Sequence, residues 1–263
     1  MPRNPDDPSL AGWLLYRFWH VPRNALRERK GDFLLYLLAG RRVCSGPFAG
    51  MRYVGSSPNP HIGSALLGTI ELEIRPFVQR LLESDCDVFV NIGAAEGYYA
   101  AGFARFGRMP RVIAYEGDRL GRILTRFMAR RNGVAAKLDM RGYCTPQSLA
   151  EALAPFRHPA LLVDIEGFEA EVLDPQLNPH LSRALMIVEL HEQEKPMADL
   201  LRPRFAATHT IEEIWSQPRT PADLPDRTGL ARWFFPPERL LQFTDEARGR
   251  PMRWWLLTPR QTA

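Results

Sequence analysis

Two spacing patterns of apolar and polar positions divide the chain. Up to residue 83 the spacing is helical and predicts helices at 12–20, 24–38 and 62–83, with a loop or short hairpin in the Gly/Ser/Pro-rich stretch 41–60. From residue 87 short runs rich in β-formers alternate with helical stretches. Strands are predicted at 88–92, 112–115, 135–140, 161–165, 185–190, 209–215 and 253–258. The helices predicted between them are 98–106, 119–131, 146–153, 166–173 and 196–205.

This alternation predicts an α/β fold, a parallel sheet with helices on both faces. We assign residues 1–61 to an N-terminal helical extension and loop, and residues 62–263 to the sheet domain. The extension is rich in aromatic and basic residues. It is interpreted as a helical cap on the core or, alternatively, as a contact with a membrane surface or a second copy of the chain. Ligands of such sheets bind beyond the carboxyl ends of the strands, so candidate chemistry is sought there.

Composition narrows the function classes. The 263 residues are 45% hydrophobic and 24% charged, which is typical of a globular protein and excludes disorder as the main state. A net charge of +4 is only mildly basic, so a nucleic-acid partner is not expected. The three cysteines form no metal or disulfide pattern, which favours a cytoplasmic location. No apolar run approaches the roughly 18 residues of a membrane span, so no transmembrane segment is expected.

A glycine turn follows the first predicted strand. Gly93 and Gly97 allow the backbone to approach a ligand closely, but their spacing is not that of a dinucleotide-binding loop. Glu96, inside the turn, disfavours phosphate and suits a cationic or neutral nucleoside ligand. Glu116 ends the second strand, where a carboxylate can accept hydrogen bonds from both hydroxyls of a ribose.

Four blocks in this order carry a family resemblance: N-I-G-A-A-E-G-Y-Y at 91–99, Y-E-G-D at 115–118, V-D-I-E-G-F-E-A-E-V-L at 163–173 and I-V-E-L-H at 187–191. Over roughly residues 62–258 the chain resembles the class I S-adenosylmethionine (SAM)-dependent methyltransferases, and among them the FkbM type. The resemblance implies a Rossmann-like, seven-stranded, mostly parallel sheet, with SAM as the cofactor. The implied cofactor-binding residues are Asn91, Gly93, Ala94, Glu96, Gly97, Tyr98, Glu116 and Asp164.

One position departs from the superfamily pattern. Asn91 ends the first strand where many members carry an aspartate, so the hydrogen-bond acceptor is kept and the charge is lost. The resemblance also implies methylation of a hydroxyl on a sugar or natural-product-like small molecule. The rival interpretation is a non-catalytic module of the same fold, which uses its N-terminal helix for contact with a membrane or a partner.

The later strands end in carboxylates and a histidine. Asp164 is expected near the transferred methyl group, and His191 is a candidate general base or, equally, a structural histidine. Glu166 and Glu189 are expected to contact the substrate. Helical spacing would place Glu166 and Glu169 on one face, where carboxylates can bind a divalent metal or Glu166 can cap the helix. No further clustered ligand is evident, so no metal is expected.

A long connection, 216–251, separates the last two predicted strands. It is interpreted as a substrate lid in which Trp233 and Phe234 stack on the acceptor. The alternative is a structural insertion whose aromatic side chains fill a local core.

Overall fold

A seven-stranded sheet forms the centre of the molecule. The protein is represented by a computed structural model that describes residues 23–54, 62–192, 196–246 and 248–260, with side chains from residue 31 onward. The strand order is β3-β2-β1-β4-β5-β7-β6, and β7 runs antiparallel to both of its neighbours while the other pairs are parallel. The strands are β1 Val88–Ile92, β2 Val112–Tyr115, β3 Leu138–Arg141, β4 Pro159–Val163, β5 Leu185–Leu190, β6 His209–Trp215 and β7 Arg253–Pro259. The predicted α/β fold with a mostly parallel sheet is confirmed.

Helices cover both faces of this sheet. They are α1 Arg23–Leu38, α2 Ile62–Leu67, α3 Arg75–Glu83, α4 Tyr98–Phe106, α5 Arg119–Arg131, α6 Pro146–Leu153, α7 Glu169–Val172, α8 Met197–Phe205, α9 Ala231–Phe234 and α10 Pro237–Thr244. Helices α3, α4 and α5 contribute to the core on one face, which includes Phe89 of β1. Helices α6 and α8 contribute to the core on the other face, which includes Val88 and Val90. Because successive strand residues point to opposite faces, β1 serves both cores.

The described part of the N-terminal segment packs into the first of these cores. Leu35, Phe48 and Tyr53 are buried in the same cluster as Phe89 and Phe103. The Phe48 ring lies against Gly102 of α4, where an added Cβ would come within 2.7 Å of it. Residues 35–54 are therefore continuous with the sheet core, as the cap interpretation expects. The helix predicted at 12–20 lies outside the described residues.

Several predicted boundaries were wrong for local backbone reasons. The helix predicted at 62–83 is interrupted, because Gly68 and Glu71 take positive φ values of 75° and 45°. The start of β3 is delayed by a 3₁₀ turn at Ala135–Lys137. The strand predicted at 161–165 corresponds to β4, which begins and ends two residues earlier, at Pro159 and Val163. The helix predicted at 166–173 is reduced to α7, because Glu166 and Gly167 are left-handed, with φ values of 54° and 100°.

Candidate functional site

The site lies where the order of the strands reverses. β1 pairs with β2 on one side and with β4 on the other, and ligands of open α/β sheets bind at this switch point. The turn after β1 presses against the segment after β4: a Cβ on Gly93 would lie 1.7 Å from the backbone oxygen of Asp164. Gly93 also has a φ of +87°, so both its space and its backbone require glycine.

Glu116 holds the glycine turn in place. Its Oε2 accepts a hydrogen bond from the Ala95 N–H (2.7 Å), and its Oε1 accepts one from the Asp118 N–H (2.7 Å). Gly121 leaves room for this carboxylate, since a Cβ there would lie 2.7 Å from the Glu116 Cγ. Glu116 thus stands directly behind the turn. Each carboxylate oxygen retains a lone pair, so its assignment to a ribose remains open as a prediction.

A cleft of about 420 Å³ opens at this edge of the sheet. It brings together many of the residues singled out from the sequence, namely Gly93, Ala94, Glu96, Tyr98, Asp164, Glu166, Glu189 and His191. It also takes in residues that sequence reasoning missed, namely Ile70, Glu71, Ala95, Tyr99, Glu246, Arg248, Gly249, Arg250 and Met252. Asn91, Gly97, Glu116, Trp233 and Phe234 are not part of this lining.

His191 is buried, with its ring between carboxylates. Its Nδ1 lies 2.7 Å from Oε1 of Glu169, a fully buried side chain. Its Nε2 faces Glu166 at 3.5 Å and Asp164 at 3.6 Å, with Glu189 at 4.0 Å. Burial by itself would lower the pKa of His191, but the hydrogen bond to Glu169 and the neighbouring negative charges raise it above the ordinary value. The sequence pattern marks Glu169 only as a neighbour of Glu166, and the contact with His191 comes from the tertiary structure.

Arg248 pairs with three carboxylates that line the cleft. Its guanidinium contacts Glu189 (2.7 Å), Glu246 (2.8 Å) and Glu71 (3.2 Å). Burial, together with the charge of Glu189, still raises the pKa of Glu71 to about 8. Burial and the charges of Glu189, Glu71 and Glu166 hold the pKa of Asp164 well above its usual range. The cleft therefore favours a positively charged ligand.

Glu96 and Asn91 occupy buried positions near the turn. The Tyr53 hydroxyl donates a hydrogen bond to Oε1 of Glu96 (2.7 Å), so the N-terminal segment contacts the glycine turn directly. Asn91 is buried on β1, and neither its amide nitrogen nor its amide oxygen has a hydrogen-bond partner among the described residues. A buried amide left unpaired in this way is suited to a polar ligand group or a water molecule.

Two sets of donor atoms lie within 4.8 Å of one another: those of Asp164, Glu166 and His191, and those of Glu71, Asp164 and Glu189. Such spacing would accommodate a cation. Glu71 and Glu189 already pair with Arg248, however, and clusters of acidic groups are common without an ion. We therefore assign no metal to this cleft.

The 216–251 connection lines the cleft with its last residues and not with the predicted aromatic residues. Trp233 and Phe234 point to solvent, with 75% and 64% of their surface exposed. The Leu230 N–H, just before α9, donates to the Leu38 carbonyl (2.9 Å), so α9 lies on the end of α1. The structure does not bring these aromatics to the cleft, and it is the end of the connection, at Glu246 and Arg248, that lines it. A neighbouring cavity of about 690 Å³ shares these two residues.

Comparisons with known proteins give structural likenesses at low identity. No protein-family model matches the chain, and no curated protein sequence is significantly similar to it. The O-methyltransferase TomG from Streptomyces achromogenes, in complex with SAM, is 15% identical over 70% of this chain and 80% of its own, with a TM-score of 0.45. An O-methyltransferase from Bacillus cereus, in complex with SAH, is 11% identical over 88% of this chain and 91% of its own, with a TM-score of 0.46. A putative tRNA (m1A22) methyltransferase from Streptococcus pneumoniae, also with SAM, is 12% identical over 72% of both chains, with a TM-score of 0.46.

Proposed function

We propose that the protein is a SAM-dependent methyltransferase that acts on a hydroxyl group of a sugar or natural-product-like small molecule. The observation that carries this proposal is the acidic cleft at the strand-order switch point, which joins the glycine turn after β1 to Asp164 and His191. The motif resemblance supports the same reaction class. The cofactor and the acceptor are proposals that rest on this chain's own residues.

The residues of the cleft fit such a cofactor. Its volume of about 420 Å³ falls within the usual range of ligand pockets. SAM carries a sulfonium and an ammonium group, which an excess of carboxylates stabilises. Gly93, Ala94, Glu96 and Tyr98 would surround it, with Glu116 on the ribose. The unpaired amide of Asn91, behind the turn, offers a further donor and acceptor for a bound ligand or water.

When bound, SAM supplies an activated methyl group for an in-line displacement. The protein's part is then to hold the acceptor oxygen in line and to take up its proton. Nε2 of His191 faces the cleft and, when neutral, can accept that proton. Glu166 and Glu189 lie near Nε2, where their charges stabilise the imidazolium that forms. Because the pKa of His191 is raised, activity should increase with pH as this residue loses its resting proton.

Calorimetric titration with SAM and with its demethylated product tests the cofactor assignment. We expect saturable binding at one site, and we expect Glu116→Ala to weaken it. A screen of hydroxylated sugars and lipids would then identify the acceptor. His191→Asn should bind SAM as the native protein does but fail to transfer the methyl group. Absence of binding at millimolar ligand, with a folded protein, would contradict the proposal.

A second candidate function is a non-catalytic module that contacts a membrane or a partner. The observation in its favour is the solvent-exposed apolar face of α1, formed by Phe33, Leu34 and Leu37. Among the described residues, no helix has both the length and the apolar character needed to cross a bilayer. Deleting residues 1–40 would also remove the buried Leu35 and Tyr36. Membrane contact is therefore better tested by sedimentation with anionic vesicles, using the variants Phe33→Ser and Leu37→Ser. If α1 binds the membrane, these variants should no longer sediment with the vesicles.

A further inference from the structure

We infer that Glu169 is a positioning residue that holds His191 in the Nδ1–H tautomer and so turns the lone pair of Nε2 toward the cleft. This inference rests on the proposed function for its meaning, since the lone pair matters only if a proton is to be accepted there. The arrangement itself follows from the contacts of the two side chains. Glu169 does not line the cleft, so it would act on the reaction only through His191.

The partner of each ring nitrogen decides the tautomer. Nδ1 of His191 lies 2.7 Å from a carboxylate oxygen of Glu169, and an ionised carboxylate can only accept a hydrogen bond. Nδ1 must therefore carry a hydrogen. In the neutral ring Nε2 is then the unprotonated nitrogen. It is this nitrogen that faces Asp164 and Glu166, beyond ordinary hydrogen-bond length from either.

The backbone around Glu169 is shaped to hold its carboxylate still. The Gly167 N–H donates to the same Oε1 that accepts from His191 (3.2 Å). Glu166 and Gly167, just before Glu169, are both left-handed, and Glu166 carries the strain of a non-glycine residue at positive φ. Arg204 of α8 donates to the carbonyl oxygens of Ala170 (2.5 Å) and Leu173 (3.1 Å), which ties the end of α7 to its neighbour.

The burial of Glu169 argues against a purely structural role. A carboxylate with no exposed surface pays a large desolvation cost, and well-packed apolar residues often serve stability as well or better. Its other oxygen, Oε2, is buried without a hydrogen-bond partner among the described residues. Within the described part of the chain, the Glu169 carboxylate therefore gives up solvation for the contact with His191 and a backbone hydrogen bond from Gly167. A buried carboxylate behind an imidazole is the arrangement that fixes tautomer and orientation in catalytic histidines.

The charged groups around His191 come from several elements. Glu169 and Glu166 lie on the segment after β4 together with Asp164, and Glu189 lies on β5 next to the ring. Arg248, from the segment before β7, contacts Glu189. Among the residues that the structure describes, three carboxylates thus lie near Nε2, while Glu169 is the acidic residue that contacts Nδ1. Removal of Glu169 should change the proton distribution between the two nitrogens, which removal of an outer charge would not do.

Nitrogen NMR of the full chain, labelled at its histidine rings, tests the inference without cofactor or acceptor. His209 is an internal reference of the opposite tautomer, because its Nε2 lies 3.0 Å from the Ala184 carbonyl and its Nδ1 lies 2.8 Å from the Thr208 hydroxyl. At a pH where both rings are neutral, we expect His191 to show a protonated Nδ1 and an unprotonated Nε2. His209 should show the reverse pattern. A wild-type His191 with its proton on Nε2 would overturn the inference.

Two variants separate the charge from the hydrogen bond. Glu169→Ala should shift His191 toward the Nε2–H form. Glu169→Gln can still accept from Nδ1 through its amide oxygen, so the tautomer should persist while the pKa of His191 falls. Glu171→Gln, an exposed position on the same helix, is the matched control and should change neither. An unchanged tautomer in Glu169→Ala would also overturn the inference. If that variant does not fold, the tautomer of His191 in the wild-type protein still tests the inference. A failure to bind SAM would count against the proposed function alone.

Discussion

Replacing Arg248 with methionine should destabilise the folded protein strongly, because it removes the counter-charge of Glu71 and Glu189, while Glu246 keeps its ion pair with Arg219. Arg248 contacts Glu71, Glu189 and Glu246, whose side chains are only 9%, 6% and 2% exposed. Arg248 itself is 20% exposed. Removing one partner of a buried ion pair costs about 3–5 kcal/mol, since the remaining charge is left unsolvated. For a chain of this size that loss corresponds to a fall in Tm of roughly 6–20 °C.

The same loss should depend on pH in a defined direction. Burial already raises the pKa of Glu71 to about 8 with Arg248 in place. Without the guanidinium, which lowers the pKa of Glu71, that carboxyl becomes harder still to ionise in the folded state, whereas in the unfolded chain it ionises near its ordinary value. The folded state then holds more protons than the unfolded state, so the stability of Arg248→Met should rise as the pH falls from 8 to 6. The variant should therefore differ less from the native protein at pH 6.

Urea unfolding followed by tryptophan fluorescence at pH 8 and pH 6 measures both effects. Arg108→Met is the matched control, because Arg108 is 69% exposed and its partner Asp85 lies 3.9 Å away in full solvent. That control should unfold like the native protein. Glu71→Gln introduced into Arg248→Met should recover part of the lost stability, because it removes one of the stranded charges. A loss below about 1 kcal/mol at pH 8, or a larger loss at pH 6, would refute the reasoning.

Three further predictions address the glycine turn, the cofactor and acid stability. Gly93→Ala should lower the free energy of unfolding by more than about 2 kcal/mol, because its Cβ would lie 1.7 Å from the Asp164 backbone oxygen. Gly133→Ala, with open space around the added Cβ, should cost only about 1–2 kcal/mol for its left-handed backbone. Equal losses in urea unfolding would show that the close approach is not the cause. Glu116→Ala should weaken SAM binding by roughly 1–3 kcal/mol in calorimetry, and an unchanged affinity would remove Glu116 from the ribose. Burial lowers the pKa of His209 below 6.5, so its unfolded form takes up a proton first and stability is lost as the pH falls below that value. His209→Asn should flatten the acid limb of the unfolding curve, and an equally steep limb would assign the acid sensitivity to other groups.

Much of the sheet could be predicted because its signals are local. β1, β2, β5 and β6 begin and end at the residues that the sequence pattern predicts for them. The prediction failed for β4, because Ile165 continues the apolar pattern although the chain has already left the sheet after Val163. It also failed at 62–83, where the left-handed Glu71 breaks the helix. No local pattern marks a left-handed non-glycine residue, because surrounding contacts impose it.

The sequence could indicate which residues at the strand ends would meet in the cleft, but not which residues of the connections would join them. Asp164, Glu189 and His191 could be placed because the ends of parallel strands meet at one edge. Arg248 and Glu71 carry no comparable signal. They come from the segments before β7 and before β1, and they meet only after the chain has folded. The length of the 216–251 connection and its aromatic residues predicted Trp233 at the cleft, whereas the structure leaves this side chain 75% exposed.

The sequence by itself determined the fold class, the glycine turn and the chemical character of the strand ends. These depend on residue type and on spacing over a few positions, which act before distant segments meet. Only the tertiary structure decided which charges pair: Glu169 with Nδ1 of His191, and Arg248 with three carboxylates from separate segments. Such pairings depend on register and packing between residues far apart in the chain. Their energies arise from burial, which no single segment possesses before the molecule folds.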